Sequence, residues 1–97
     1  MADAATFLLD IVTPERKIFS GNVEFAIFPG ADGFFGILPH HAAMISVLIP
    51  GEIKISYDQK SDYFTTSGGF LEVAENKVIV IADTAETSSG SYSQQAK

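Results

Sequence analysis

The sequence predicts an all-β domain, a sandwich or barrel of short strands. Three observations carry this. Apolar residues alternate with a period of two in run after run, clusters of Gly, Pro, Asn, Asp and Ser separate the runs, and no window before residue 84 has a helical period. At 97 residues the chain has room for one domain. A domain of this size buries roughly 60–65% of the surface its unfolded chain exposes, enough for a core without covalent staples.

Taken in order, Phe7, Leu9 and Ile11 alternate with Leu8, Asp10 and Val12, the pattern of a strand, and Thr13-Pro14-Glu15 ends it. Ser20-Gly21-Asn22 marks the next turn. Val23, Phe25 and Ile27, the expected core set of the following strand, alternate with Glu24, Ala26 and Phe28. Gly30-Ala31-Asp32-Gly33-Phe34-Phe35-Gly36-Ile37-Leu38-Pro39 then reads as a tight turn, a brief strand and a rigid exit, because glycine supplies positive φ and proline fixes φ. Residues 42–48 fit either period, and the alternation of Ile45, Val47 and Ile49 favours a strand. After Pro50-Gly51, Ile53, Ile55 and Tyr57 alternate with Glu52, Lys54 and Ser56 up to a hairpin turn around residues 57–62. Ser67-Gly68-Gly69 and Ala74-Glu75-Asn76 are further turns, and Val78, Val80 and Ala82 alternate with Ile79, Ile81 and Asp83. Residues 1–86 form the expected domain. Residues 87–97, rich in Ser and Gln, bury too little to offset their ordering entropy and are expected to be a disordered tail.

Composition narrows the function. There are no cysteines, which excludes disulfides, zinc–thiolate sites and thiol nucleophiles. Twelve acidic residues against six basic ones give a formal charge of −6 with no basic run, a poor match for nucleic acid or an anionic lipid surface. The start Met1-Ala2-Asp3-Ala4-Ala5 has neither the cationic nor the apolar region of a signal peptide. Apolar runs fall short of the ~18 residues of a membrane helix, so an acidic, cytoplasmic-type soluble domain is expected.

Several strands are apolar on both sides. Leu8 and Val12, Ala26 and Phe28, and Ile79 and Ile81 occupy positions that an ordinary sandwich would leave polar. Either another part of the chain covers this second face or a partner protein does. No helix is predicted to cover it, which favours a partner.

Other chemistry finds little support. Gly30, Gly33 and Gly36 are not a phosphate cradle, since no Lys-Ser/Thr and no helix follow them. His40 and His41 are adjacent, and on an extended segment they point opposite ways, so they do not share a metal. No Gly-x-Ser-x-Gly elbow and no paired carboxylates are present, so catalysis is not expected. Lys60, expected at the tip of the hairpin turn around residues 57–62, is similar to the modified lysine of lipoyl or biotinyl carrier domains, but the Asp-Lys-Ala or Met-Lys-Met context is missing.

Four segments in register resemble the epsilon subunit of F-type ATP synthases: Thr13-Pro14-Glu15-Arg16-Lys17-Ile18-Phe19-Ser20-Gly21, the segment from Gly30 through Pro39-His40-His41-Ala42, Ser67-Gly68-Gly69-Phe70-Leu71-Glu72-Val73, and Lys77-Val78-Ile79-Val80-Ile81-Ala82-Asp83-Thr84-Ala85-Glu86. The resemblance implies a flattened sandwich of about ten strands. It implies a non-catalytic central-stalk subunit, without cofactor or metal, that binds the gamma subunit and the polar loops of the c-ring and so couples proton flow to ATP synthesis. It also implies a peripheral position on the cytoplasmic face of a bacterial inner membrane. On this reading Leu8, Val12, Phe28, Ile79 and Ile81 form the gamma interface, and Ala31, Asp32, Phe34 and Phe35, with His41 nearby, form the rim that meets the c-ring and the foot of gamma. An unrelated small β-sandwich that binds another protein through the same face is the alternative.

Three departures stand out. Phe34 and Phe35 replace the acidic residue of the family's Gly-Glu-Leu-Gly pattern, His40 stands where the family has glycine, and after Glu86 the Ser/Gln segment stands in place of a charged, helix-forming run. From the last, neither hairpin-type inhibition nor ATP binding is expected.

Overall fold

The computed structural model describes residues 5–88. Its ten strands are β1 (Phe7–Val12), β2 (Lys17–Val23), β3 (Phe25–Gly30), β4 (Gly33–Ile37), β5 (Met44–Leu48), β6 (Gly51–Tyr57), β7 (Lys60–Thr66), β8 (Gly69–Ala74), β9 (Lys77–Ala82) and β10 (Ala85–Thr87). They hydrogen-bond in the order β10-β7-β6-β3-β5-β8-β9-β1-β2, with β4 paired to β3 off this path. Every pair is antiparallel except β1 with β9. β3 meets β5 at a single register pair, Gly30 with Leu48, and there the sheet folds over on itself. One layer is β4-β3-β6-β7-β10 and the other is β5-β8-β9-β1-β2. Folding brings β2, at one end of the path, against β6 and β10. Phe19 of β2 packs edge-on against Phe64 of β7 at 5.7 Å and lies 6.2 Å from Tyr57 of β6.

The core lies between the layers. Leu9, Ile11, Leu71, Val73, Val78 and Val80 face Ala26, Phe28, Ile37, Ile53 and Ile55, and all are buried. Each such side chain contributes on the order of 1.5–3 kcal/mol relative to exposure. Thr66 is the one buried polar side chain among the described residues. Its oxygen accepts from the Gly68 N–H at 3.0 Å and its hydroxyl donates to the Thr84 carbonyl at 3.2 Å, so it is satisfied. Beside it Gly69 has φ 153°, and a Cβ there would fall 2.1 Å from the Ile81 carbonyl oxygen. Only glycine lets β8 start this close to β9.

At the opposite end of that hairpin, Glu75 (φ 52°) and Asn76 (φ 62°) form a two-residue turn between the paired Ala74 and Lys77. The Asn76 side chain accepts from the His40 N–H at 2.7 Å and donates to the Thr6 carbonyl at 2.9 Å. His40 adopts φ 65°, the left-handed conformation that glycine favours, so the backbone at this position is one that glycine would suit.

Three expectations need correction. In β3 the inward residues are Ala26 and Phe28, while Phe25 and Ile27 are half-buried on the outside. The chain bends at Glu24 as it passes from one layer to the other, its N–H donating to the Ser56 carbonyl at 2.8 Å. That bend residue inverts the parity inherited from Val23. The hairpin tip is Asp58-Gln59, and Lys60 is already the first residue of β7, paired with Tyr57. Thr87, placed in the tail by its composition, pairs with Phe64 in β10, and the Ser88 N–H donates to the Tyr63 carbonyl at 2.7 Å. The rest of the expected tail lies outside the described residues.

Candidate protein-binding face

Because side chains alternate across a sheet, the register decides what the outer face of the β5-β8-β9-β1 layer carries. Val47 is opposite Phe70, Phe70 opposite Ile81, and Ile81 opposite Val12, giving one apolar row across the layer. The next row runs Ile45, Glu72, Ile79 and Asp10, and the third Ala74, Lys77 and Leu8. Ile45 is 75% exposed, Phe70 57%, Ile81 56% and Val47 54%. Leu8, Val12 and Ile79 are half-buried. The opposite parity of these strands fills the core, so the chain cannot turn this apolar set inward without losing the other. Contiguous exposed apolar patches are where soluble domains bind partners, which makes this the candidate protein-binding face. Its polar members are few, and Asp10 accepts from the Ser20 hydroxyl at 2.6 Å.

Four of the five residues expected on this face, Leu8, Val12, Ile79 and Ile81, are brought together on it. Phe28 is not. It is fully buried in the other layer and packs at 5.8 Å on Phe35, so it has no surface to offer a partner. Ile45, Val47 and Phe70 belong to the face and were missed. The signal was present, since Ile45 to Ile49 and Phe70 to Val73 are apolar at both parities.

The expected rim divides. The turn is Ala31-Asp32, between Gly30 and Gly33, and both residues are exposed. Phe34 projects outward and is 69% exposed, whereas Phe35 is half-buried against the core. Gly30 makes room for it, since a Cβ there would meet the Phe35 ring at 2.8 Å. This turn and Phe34 share a shallow depression with Ser46 and Val47, so the turn adjoins the apolar face. His41 lies elsewhere. The turn is at the end of the sandwich where Gly30, Leu48, Gly69 and Ala82 pair in succession. His41 follows β4 at the other end, where the His40 N–H meets Asn76. A strand of 3.3 Å per residue separates the two ends.

Away from this face, the Tyr57 hydroxyl donates to the Asp62 carboxylate in the β6–β7 hairpin. That hydrogen bond, with burial and the charges of Asp62 and Asp58 adding to it, lifts the phenol above its ordinary value of 10.0.

Comparison with known proteins identifies the family to which this fold belongs. The family described as "ATP synthase, Delta/Epsilon chain, beta-sandwich domain" matches residues 6–88. The ATP synthase epsilon chain of Desulforamulus reducens is 46% identical over 83 residues, which cover 86% of this chain and 63% of that one. That of an Anaeromyxobacter species is 44% identical over 89 residues, covering 92% and 67%. The chain thus spans about 63% of the length of the Desulforamulus relative. A chain of the Euglena gracilis mitochondrial ATP synthase, solved with OSCP, F1 and c-ring, superposes with a TM-score of 0.81 at 23% identity, over 90% of this chain and 56% of that one. A chain of the Tetrahymena thermophila mitochondrial ATP synthase central stalk and c-ring gives 0.70 at 18% identity, over 87% and 68%. At these identities the two structures speak for the fold alone. The bacterial relatives rule out an unrelated sandwich, and with the family match running from the residue before β1 to the residue after β10, the chain belongs to the delta/epsilon-chain β-sandwich family of ATP synthases.

Proposed function

We propose that this chain is a non-catalytic subunit of the central stalk of an F-type ATP synthase, where it binds gamma and the polar loops of the c-ring and helps couple proton flow to ATP synthesis. The observation that carries this is the apolar outer face of β5-β8-β9-β1 on a domain whose relatives are ATP synthase epsilon chains. Leu8, Val12, Ile79 and Ile81, joined by Ile45, Val47 and Phe70, form the surface for gamma. The Ala31-Asp32 turn and Phe34 face the c-ring. The subunit works as a peripheral protein at the cytoplasmic face of a bacterial inner membrane, as its bacterial relatives favour. No helix among the described residues is long and apolar enough to cross a membrane.

Phe70→Glu combined with Ile81→Glu tests the gamma assignment. Both side chains are more than half exposed, so the domain should keep its circular dichroism and melting temperature. Truncating an interface anchor costs ~2 kcal/mol or more, so affinity for gamma should fall at least tenfold. Unchanged affinity in the folded double variant sinks the assignment.

A further inference from the structure

Glu72 stands in the middle of the apolar outer face. Its cross-strand neighbours are Ile45 on β5 and Ile79 on β9, and Phe70 and Ala74 flank it on the same side of β8. No hydrogen bond or ion pair joins its carboxylate to another described residue. The other carboxylate of the same row, Asp10, already has the Ser20 hydroxyl. The nearest cation on the face, Lys77, is a diagonal cross-strand neighbour that lines the same shallow depression as Glu72 and Ile79, and in the free domain it does not pair with the Glu72 carboxylate.

In the free domain Glu72 is exposed and water solvates it. A partner that covers Phe70, Ile45 and Ile79 removes that water. An ionised carboxylate desolvated without a compensating charge or donor is costly enough to cancel what a well-filled apolar contact contributes. A purely apolar docking surface would leave only Lys77, which does not pair with Glu72 in the free domain, to offset that cost, so a partner that brings its own cation is the better match for this face.

Building on the reading of this face as the gamma interface, we infer that the docking surface on gamma carries a cationic side chain, an arginine or a lysine, which enters between Ile45 and Ile79 to meet Glu72, and that Glu72 determines which partner sequences the face accepts. A guanidinium suits the position best, because its planar fork donates to both carboxylate oxygens and is less strongly hydrated than an ammonium. The formal charge of −6 adds long-range attraction to a basic partner surface.

The test titrates the gamma subunit of the same ATP synthase with the unmodified chain and with Glu72→Gln, Glu72→Lys and Phe70→Glu, at low and high salt. Glu72→Gln should leave the melting temperature unchanged, weaken binding at least tenfold and flatten its salt dependence. Glu72→Lys should weaken binding at least a hundredfold, and exchanging one arginine or lysine of gamma for glutamate should restore it. If Glu72→Gln binds within twofold of the unmodified chain while Phe70→Glu abolishes binding, the face is the interface and the cation is not. If Phe70→Glu also binds normally, the docking reading fails and this inference with it.

Discussion

The Tyr57 hydroxyl reaches Asp62 across the β6–β7 hairpin, and the hydrogen bond favours the protonated phenol. Since the folded value lies above the ordinary 10.0, the contribution to stability is fully present below that value and is lost as pH rises through the raised one. The phenolate absorbance of Tyr57, isolated as the difference from Tyr57→Phe, should therefore appear at higher pH than 10.0, and Asp62→Asn should bring it back down. An unmoved titration in Asp62→Asn would show that the carboxylate is not the cause. Other single residues matter for shape rather than charge. Gly69 is required by the Ile81 carbonyl beside it. Phe34 and Phe35, adjacent in sequence, divide into one exposed ring and one core-facing ring because successive side chains on a strand take opposite faces.

At the scale of elements, the β8–β9 turn is where separate segments are tied together. The Asn76 side chain joins the backbone of His40 to that of Thr6, so one residue holds the β4–β5 loop and the start of β1 against the hairpin. Asn76→Gly keeps the left-handed backbone and removes both side-chain bonds. It should lower stability by about 1–2 kcal/mol in denaturant titration without altering the strand content. A loss below ~0.5 kcal/mol would mean that water replaces both bonds at no cost. The β2–β3 corner works through backbone alone: one bend residue, Glu24, carries the chain between layers and resets which side of β3 is apolar.

For the whole molecule, the fold has two distinct ends and one apolar side. The Ala31-Asp32 turn, Phe34 and the Val47–Phe70–Ile81–Val12 row share one end, and His41 and Asn76 lie at the other. If the Phe34 end meets the c-ring, Phe34→Cys should crosslink efficiently to a cysteine in the ring's polar loop in the assembled enzyme, and His41→Cys should not. Crosslinking from His41→Cys alone would invert the orientation of the domain.

By itself the sequence determined the all-β class, most turns, the inward residues of β1, β6 and β9, and through its motifs the family. Those features depend on local period and turn chemistry, which a short window contains. It also flagged a second apolar face through Leu8, Val12, Ile79 and Ile81. What only the tertiary structure decided is where a strand changes layer. Phe28 and Ile81 look alike in a window of alternating residues, yet one is core and the other surface, because parity is counted from a corner that long-range packing sets. The separation of His41 from the Ala31-Asp32 turn has a different cause, the strand β4 that lies between them. Ten residues apart in the chain, they stand at opposite ends of the sandwich, since β4 runs the length of the layer between them.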